Sequence, residues 1–209
     1  MHGYQAQVEG SRAKYLPIAQ SGLLTARQER DWLFGEAKLF VEAGIGDEHI
    51  FDAMAEIKLR EGLRDCLVDL ALRKVPVAVV SYGIADFVEM VLILNNIRLL
   101  VDHVYAMRFK RHKSGTITGL DRNTAVFPST KGVCSLNFAK FCKVPAKRIL
   151  AVGDSLGDRA LGYLQENRFG IASDEQHARA LRTFMGEVVV TKSFAPAHQW
   201  LVKKLEGRD

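Results

Sequence analysis

Apolar positions change their spacing near residue 75 of this 209-residue chain. Between residues 12 and 58 they recur at mixed intervals of three and four, as in "LLTARQERDWLFGEAKLFVEAG" and "GDEHIFDAMAEIKL", which predicts amphipathic helices. Thr25 is placed to cap the first of these and Asp47 the second, with Gly44 and Gly46 breaking the chain between them. No strand pattern precedes residue 75. Beyond it, short apolar runs alternate with helical stretches. "VPVAVVS" (75–81) reads as a strand and "IADFVEMVLILNN" as a helix; "VDHVYAMRF" and "TITGL" read as paired strands around "KRHKSG". Next come helix "STKGVCSLNFAKFCKV", strand "RILAVGD", helix "SLGDRALGYLQEN", strand "RFGIA", helix "SDEQHARALRTFM", strand "EVVV" and helix "FAPAHQWLVKKLEG". The alternation predicts an α/β fold, a parallel sheet with helices on both faces joined by right-handed crossovers. Residues 12–58 are expected to stand apart as a small helical cap on a core spanning 59–209.

Ligands of such sheets bind at the carboxyl ends of the strands, and three groups are predicted there. Ser81 ends its strand and is followed by Tyr82, Gly83 and a helix start. A hydroxyl beside backbone N–H groups at a helix start can hold an anion, and it can equally be a capping serine with a turn glycine. Lys131 opens the helix of "STKGVCSL", where the helix dipole disfavours a cation unless an anion lies near. A plain surface lysine is the simpler reading. Asp154 and Asp158, in "ILAVGDSLGDRALG", are expected on the same side, one helical turn apart, at a strand end. Two carboxylates so placed repel unless a cation or proton lies between them, and Mg²⁺ suits such a pair. A capping Asp followed by a solvated one is the alternative.

Composition narrows the partners. Hydrophobic residues make up 48% and charged residues 25%, which suits a globular core. The net charge of +5 is spread along the chain, and the densest basic cluster, "RFKRHK", reads as a solvated loop; no nucleic-acid partner is expected. The charge suits a small phosphorylated substrate or inorganic phosphate. Cys66, Cys134 and Cys142 form no C-x-x-C pair and read as buried free thiols. The six histidines show no ligand spacing. The N-terminus lacks the apolar core of a signal peptide, and no apolar run is long enough to span a bilayer. A cytoplasmic protein without membrane contact is expected, as a monomer or homodimer.

Ser81, Lys131 and the Asp154/Asp158 pair, in this order, resemble the motifs of the haloacid-dehalogenase-like (HAD) phosphatases over roughly residues 60–209. The chain is most similar to the branch with a helical cap inserted before the serine motif. "LREGLRDCLVDLALRKVPVAVVSYGIADFVEMVL" and "LLTARQERDWLFGEAK" are similar to pyrimidine 5′-nucleotidases, and "KSGTITG" to a hairpin of phosphoserine phosphatases. The resemblance implies a Rossmann-like core with a cap, hydrolysing a phosphomonoester such as a nucleoside monophosphate. It implies that Ser81, Tyr82, Gly83 and Lys131 bind phosphate, that Lys131 and Asp158 are catalytic, and that Asp154 and Asp158 hold Mg²⁺. The acidic and aromatic base-contacting residues of the nucleotidase cap have no convincing match here; Phe34 and Phe40 lie near their expected places.

One family element is missing. The HAD nucleophile lies in an Asp-x-Asp motif on the central strand before the cap, and this chain contains no Asp-x-Asp. "MHGYQAQVEGSR" holds no apolar strand, and "LDRNTA" lies after the hairpin, so the first core strand is missing from the expected sheet. Three explanations are open. The natural protein extends upstream of Met1; or the chain is a relative that binds phosphate without chemistry; or another carboxylate, with Asp86 as a remote candidate, serves.

Overall fold

Thr25 begins the best-defined helix of the N-terminal region. Its hydroxyl accepts the Gln28 N–H at 3.2 Å while the Gln28 side chain accepts the Thr25 N–H at 2.9 Å, a reciprocal cap. The computed structural model describes residues 2–21 and 23–207. Three helices come first: α1 (His2–Gln20), α2 (Ala26–Glu42) and α3 (Asp47–Ala55). Helix α1 starts ten residues before the expected boundary at 12, and Tyr15 stacks on Trp32 of α2 with ring centroids 5.9 Å apart. Gly46, not Asp47, is the cap of α3; Asp47 is its first residue, where a carboxylate suits the positive end of the dipole. Helix α2 buries Glu29, Leu33 and Ala37, one stripe at intervals of four.

The remainder follows the predicted order except that no α-helix separates β4 from β5: α4 (Leu63–Leu72), β1 (Ala78–Ile84), α5 (Ala85–Leu94), β2 (His103–Arg111), β3 (Ile117–Asp121), α6 (Lys131–Phe141), β4 (Ala151–Gly153), β5 (Arg168–Ala172), α7 (Glu175–Leu181), β6 (Glu187–Val190) and α8 (Ala195–Glu206). The last two residues assigned to the core, 208 and 209, lie outside the described residues, as does the side chain of His2.

These strands form two sheets rather than one. β1 runs parallel to β2, which pairs antiparallel with β3, while β4, β5 and β6 form a separate parallel sheet. Among the described residues β1 pairs only with β2, and β4 only with β5, so each keeps an edge without a strand partner. Burial follows: β5, the middle strand, is buried from Phe169 to Ala172, whereas β1 is only half-buried from Ala78 to Gly83. Helix α4 joins the two sheets. Its Leu67 packs with Ala85, Val104 and Val79, while its Cys66 and Leu70 pack with Phe169, Ile171, Trp200 and Val152. Helices α2 and α3 cover the first sheet through Leu33, Ala37 and Ile50 against Ile84, Met107, Phe109 and Ile117.

Three local expectations are corrected. The helix expected over 155–167 is replaced by 3-10 turns at Leu156–Asp158 and Gln165–Asn167. Gly162, at φ +74°, leaves helical geometry, and the Asp158 side chain folds back onto the N–H groups of Asp154 and Ser155. β4 is shorter than "RILAVGD" because Ala146–Arg148 forms a 3-10 turn. All three thiols are free, but only Cys66 is fully buried; burial, with Asp69 adding to it, pushes its thiol up to about 12. Among the described residues no helix is long and apolar enough to cross a membrane.

Candidate active site

Ser81, Tyr82 and Gly83 sit in an irregularity of β1. Val80 pairs with Tyr105, and the next pair is Ile84 with Met107, so β1 advances four residues while β2 advances two. The surplus residues bulge from the ladder, a device found next to active sites. The sequence places a strand end and a helix start at Ser81; instead the strand continues to Ile84 and α5 begins at Ala85. The Gly83 N–H donates to Ser81 Oγ at 3.0 Å, so the bulge is internally braced. Tyr82 donates its hydroxyl to the backbone carbonyl of Glu29. Burial raises the Tyr82 phenol above its ordinary range, and the nearby carboxylates of Glu29 and Glu36 add to the shift.

Lys131 is the first residue of α6 and is 6% exposed. Its Nζ lies 2.5 Å from Asp158 Oδ1, so the anion that a lysine at a helix start requires is Asp158. The other oxygen, Asp158 Oδ2, accepts from the N–H of Asp154, the N–H of Ser155 and the hydroxyl of Ser155, each at 3.0 Å. Asp158 thereby closes the loop after β4 around its own carboxylate. Two glycines make room for it. A Cβ on Gly153 would lie 2.7 Å from Asp158 Oδ2, and one on Gly132 would lie 2.8 Å from the Ala160 carbonyl oxygen.

Asp154 points elsewhere. Its side chain is 57% exposed, and Oδ2 accepts from Arg60 Nη2 at 2.9 Å. The two carboxylates expected to share a cation thus have separate partners. Mg²⁺ is held by one or two carboxylates with waters and phosphate oxygens. Asp158 has both oxygens committed to four donors and does not fit as a ligand; Asp154 fits, once Arg60 withdraws. Among the described residues no group of three or more His, Cys, Asp or Glu side chains is arranged to hold a metal ion. Asp86 does not join the site: Arg111 Nη2 donates to its Oδ1 at 2.6 Å and the Phe109 N–H to its Oδ2 at 3.2 Å.

Helix α6 packs against β1, bringing the lysine helix beside the serine strand. Two residues that the sequence reading missed complete the surroundings. Arg60 lies in the link between α3 and α4, within the charged run "KLREG" that gives no local sign of its partner. Glu29 is 5% exposed and accepts from the Ser129 hydroxyl at 2.8 Å through Oε2. The available signal was a charged residue in line with Leu33 and Ala37 on one helix face.

A family model described as pyrimidine 5′-nucleotidase (UMPH-1) matches residues 4–169. The chain belongs to this family. Its fold is that of the HAD-like phosphatases, and the family and its structural neighbours are hydrolases acting on phosphoric monoesters. Cytosolic 5′-nucleotidase IIIB bound to cytidine superposes with a TM-score of 0.72 at 16% identity, covering 99% of this chain and 75% of that one. Phosphoserine phosphatase, as a phospho-aspartyl intermediate analogue, gives 0.66 at 18% identity over 93% of this chain and 85% of that one. At these identities the structural likeness is one of fold. No curated protein sequence matches.

Proposed function

We propose that this member of the UMPH-1 family acts on a small phosphorylated metabolite of the nucleoside 5′-monophosphate kind, as a Mg²⁺-dependent phosphomonoester hydrolase of the cytoplasm. The observation that carries the reading is the buried pair between Lys131 of α6 and Asp158 of the loop after β4, with α6 packed beside the strand that carries the Ser81–Gly83 bulge. Ser81 would offer its hydroxyl to a phosphoryl oxygen. Lys131 would neutralise charge on the phosphoryl group as it transfers, the preorganised electrostatic effect that commonly contributes most in such sites. Asp158 keeps Lys131 aimed and the Asp154 loop closed. Asp154 would hold Mg²⁺, which when bound supplies further charge neutralisation at the phosphoryl oxygens. Three free thiols support a reducing compartment.

A second reading, a phosphate-binding relative without turnover, is favoured by a specific observation. The chain has no Asp-x-Asp, and Asp154, Asp158 and Asp86 are each engaged with a cationic side chain, leaving none of them free as nucleophile. Two measurements separate the readings. Turnover of an aryl phosphate and of pyrimidine nucleoside monophosphates that needs Mg²⁺ and stops with a chelator supports the hydrolase. Thermal stabilisation by inorganic phosphate with no turnover supports the binder, and absence of both removes the phosphate site.

A further inference from the structure

We infer that Glu29 is a positioning residue, the single point at which helix α2 grips both loops of the candidate phosphate site and so sets phosphate affinity. The inference rests on the phosphate-site reading above. Glu29 lies in the core-facing stripe of α2 with Leu33 and Ala37, a place where an apolar side chain would ordinarily pack. Burying a carboxylate there is costly unless it is paired or well hydrogen-bonded. Among the described residues no ion pair reaches it, so no countercharge explains its burial; its contacts do. The carboxylate accepts from Ser129, two residues before Lys131, and the Glu29 backbone carbonyl accepts from Tyr82, the residue after Ser81. One residue of α2 therefore touches the loop that aims Lys131 and the bulge that carries Ser81.

The surrounding rings supply area without direction. Trp32 meets Tyr82 edge-on at 5.8 Å and Phe34 meets Phe127 edge-on at 5.9 Å. Such contacts tolerate sliding, whereas a hydroxyl-to-carboxylate bond has a narrow geometry. Glu29 thus decides where α2 sits over the two loops. What it needs from its side chain is an acceptor, not a charge, since a negative charge beside a phosphate site opposes anion binding.

The test uses the full chain with inorganic phosphate as the probe, binding being read by calorimetry and α2 by amide hydrogen exchange across residues 26–42. Glu29→Ala and Ser129→Ala are each expected to weaken phosphate binding about tenfold, the scale of one charge-assisted hydrogen bond. Both should speed exchange in α2 while leaving β4, β5 and β6 unchanged. Glu29→Gln keeps the acceptor and should stay within about twofold of the natural protein or bind more tightly. The double change Glu29→Ala with Ser129→Ala should be no worse than either alone, because both remove one bond. Ser129 is exposed, so Ser129→Ala tests the bond without opening the core should Glu29→Ala fail to fold. Natural-strength phosphate binding in Ser129→Ala, or a Glu29→Gln protein as impaired as Glu29→Ala, overturns the inference. If the natural protein binds no phosphate, the phosphate-site reading fails on its own. The exchange measurement then decides the grip, and unaltered α2 exchange in Ser129→Ala rejects it.

Discussion

Lys131 and Asp158, 27 residues apart in the chain, form a buried ion pair at the junction of α6 and the loop after β4. Each supplies the countercharge that the other's burial requires, Lys131 being 6% and Asp158 4% exposed. Lys131→Met should therefore destabilise the protein by about 3 kcal/mol, because it leaves a buried carboxylate without its countercharge. Combining it with Asp158→Asn should cost less than the sum of the two single changes. Urea unfolding of the four proteins measures the coupling, and strictly additive losses would show that the pair does not act as a unit.

Gly153 and Gly35 give opposite expectations for the same chemical change. An added methyl on Gly153 meets Asp158 at 2.7 Å, whereas one on Gly35, inside α2, meets nothing within 4 Å. Gly153→Ala should lower stability by about 1–3 kcal/mol through overpacking and open the loop that Asp158 closes. Gly35→Ala should raise stability by about 0.5–1 kcal/mol, since alanine is the better helix residue. Melting temperatures of the two variants check both signs.

Arg60 occupies the carboxylate that a divalent cation would use. In Arg60→Met that competition is gone, and Mn²⁺ affinity, read by electron paramagnetic resonance of the free ion, should rise several-fold. Asp154→Asn added to it should abolish the gain. Equal Mn²⁺ binding with and without Arg60 would show that the guanidinium does not compete.

Asp69 makes stability depend on acid. His198 Nε2 lies 2.9 Å from its Oδ2, and Arg73 Nε donates to its Oδ1 at 2.9 Å, tying α4 to α8. The hydrogen bond with His198 first, then that with Arg73, hold the Asp69 carboxyl below the usual carboxylate range. A carboxyl depressed by folding contributes stability above its unfolded value, near pH 4, and loses it as pH falls through the lower folded value. Melting temperature should thus drop on acidification below about pH 4, and Asp69→Asn should flatten that part of the profile. An unchanged slope in Asp69→Asn would assign the acid sensitivity to other groups.

Much of the architecture was legible because near neighbours determine it. The switch in apolar spacing after residue 75 marked where strands begin, and β5, α7, β6 and α8 fall within the segments read from it. Thr25 was recognisable as a cap ahead of the helical spacing, and it caps α2. Lys131 was legible at a helix start, but the simpler reading there, a surface lysine, does not hold: it is buried against the Asp158 carboxylate. The order of Ser81, Lys131 and Asp154 led to the HAD-like phosphatases, and the UMPH-1 family contains the chain.

Other features were decided only when distant segments met. Spacing alone put Asp154 and Asp158 side by side, yet Asp158 turned inward to Lys131 and its own loop while Asp154 turned to Arg60, 94 residues away. Glu29 found Ser129 across 100 residues, and no local pattern names such a partner. The Ser81–Gly83 bulge depends on the step of β2 beside it, and the division into two sheets depends on which edges find a strand. By itself the sequence determined most helices and strands, because sterics and hydrogen bonding within a few residues control them, but not the turns over 155–167 or the end of β1. Only the tertiary structure decided which charge answers which, because a carboxylate leaving water takes whichever donors the packed chain sets within reach.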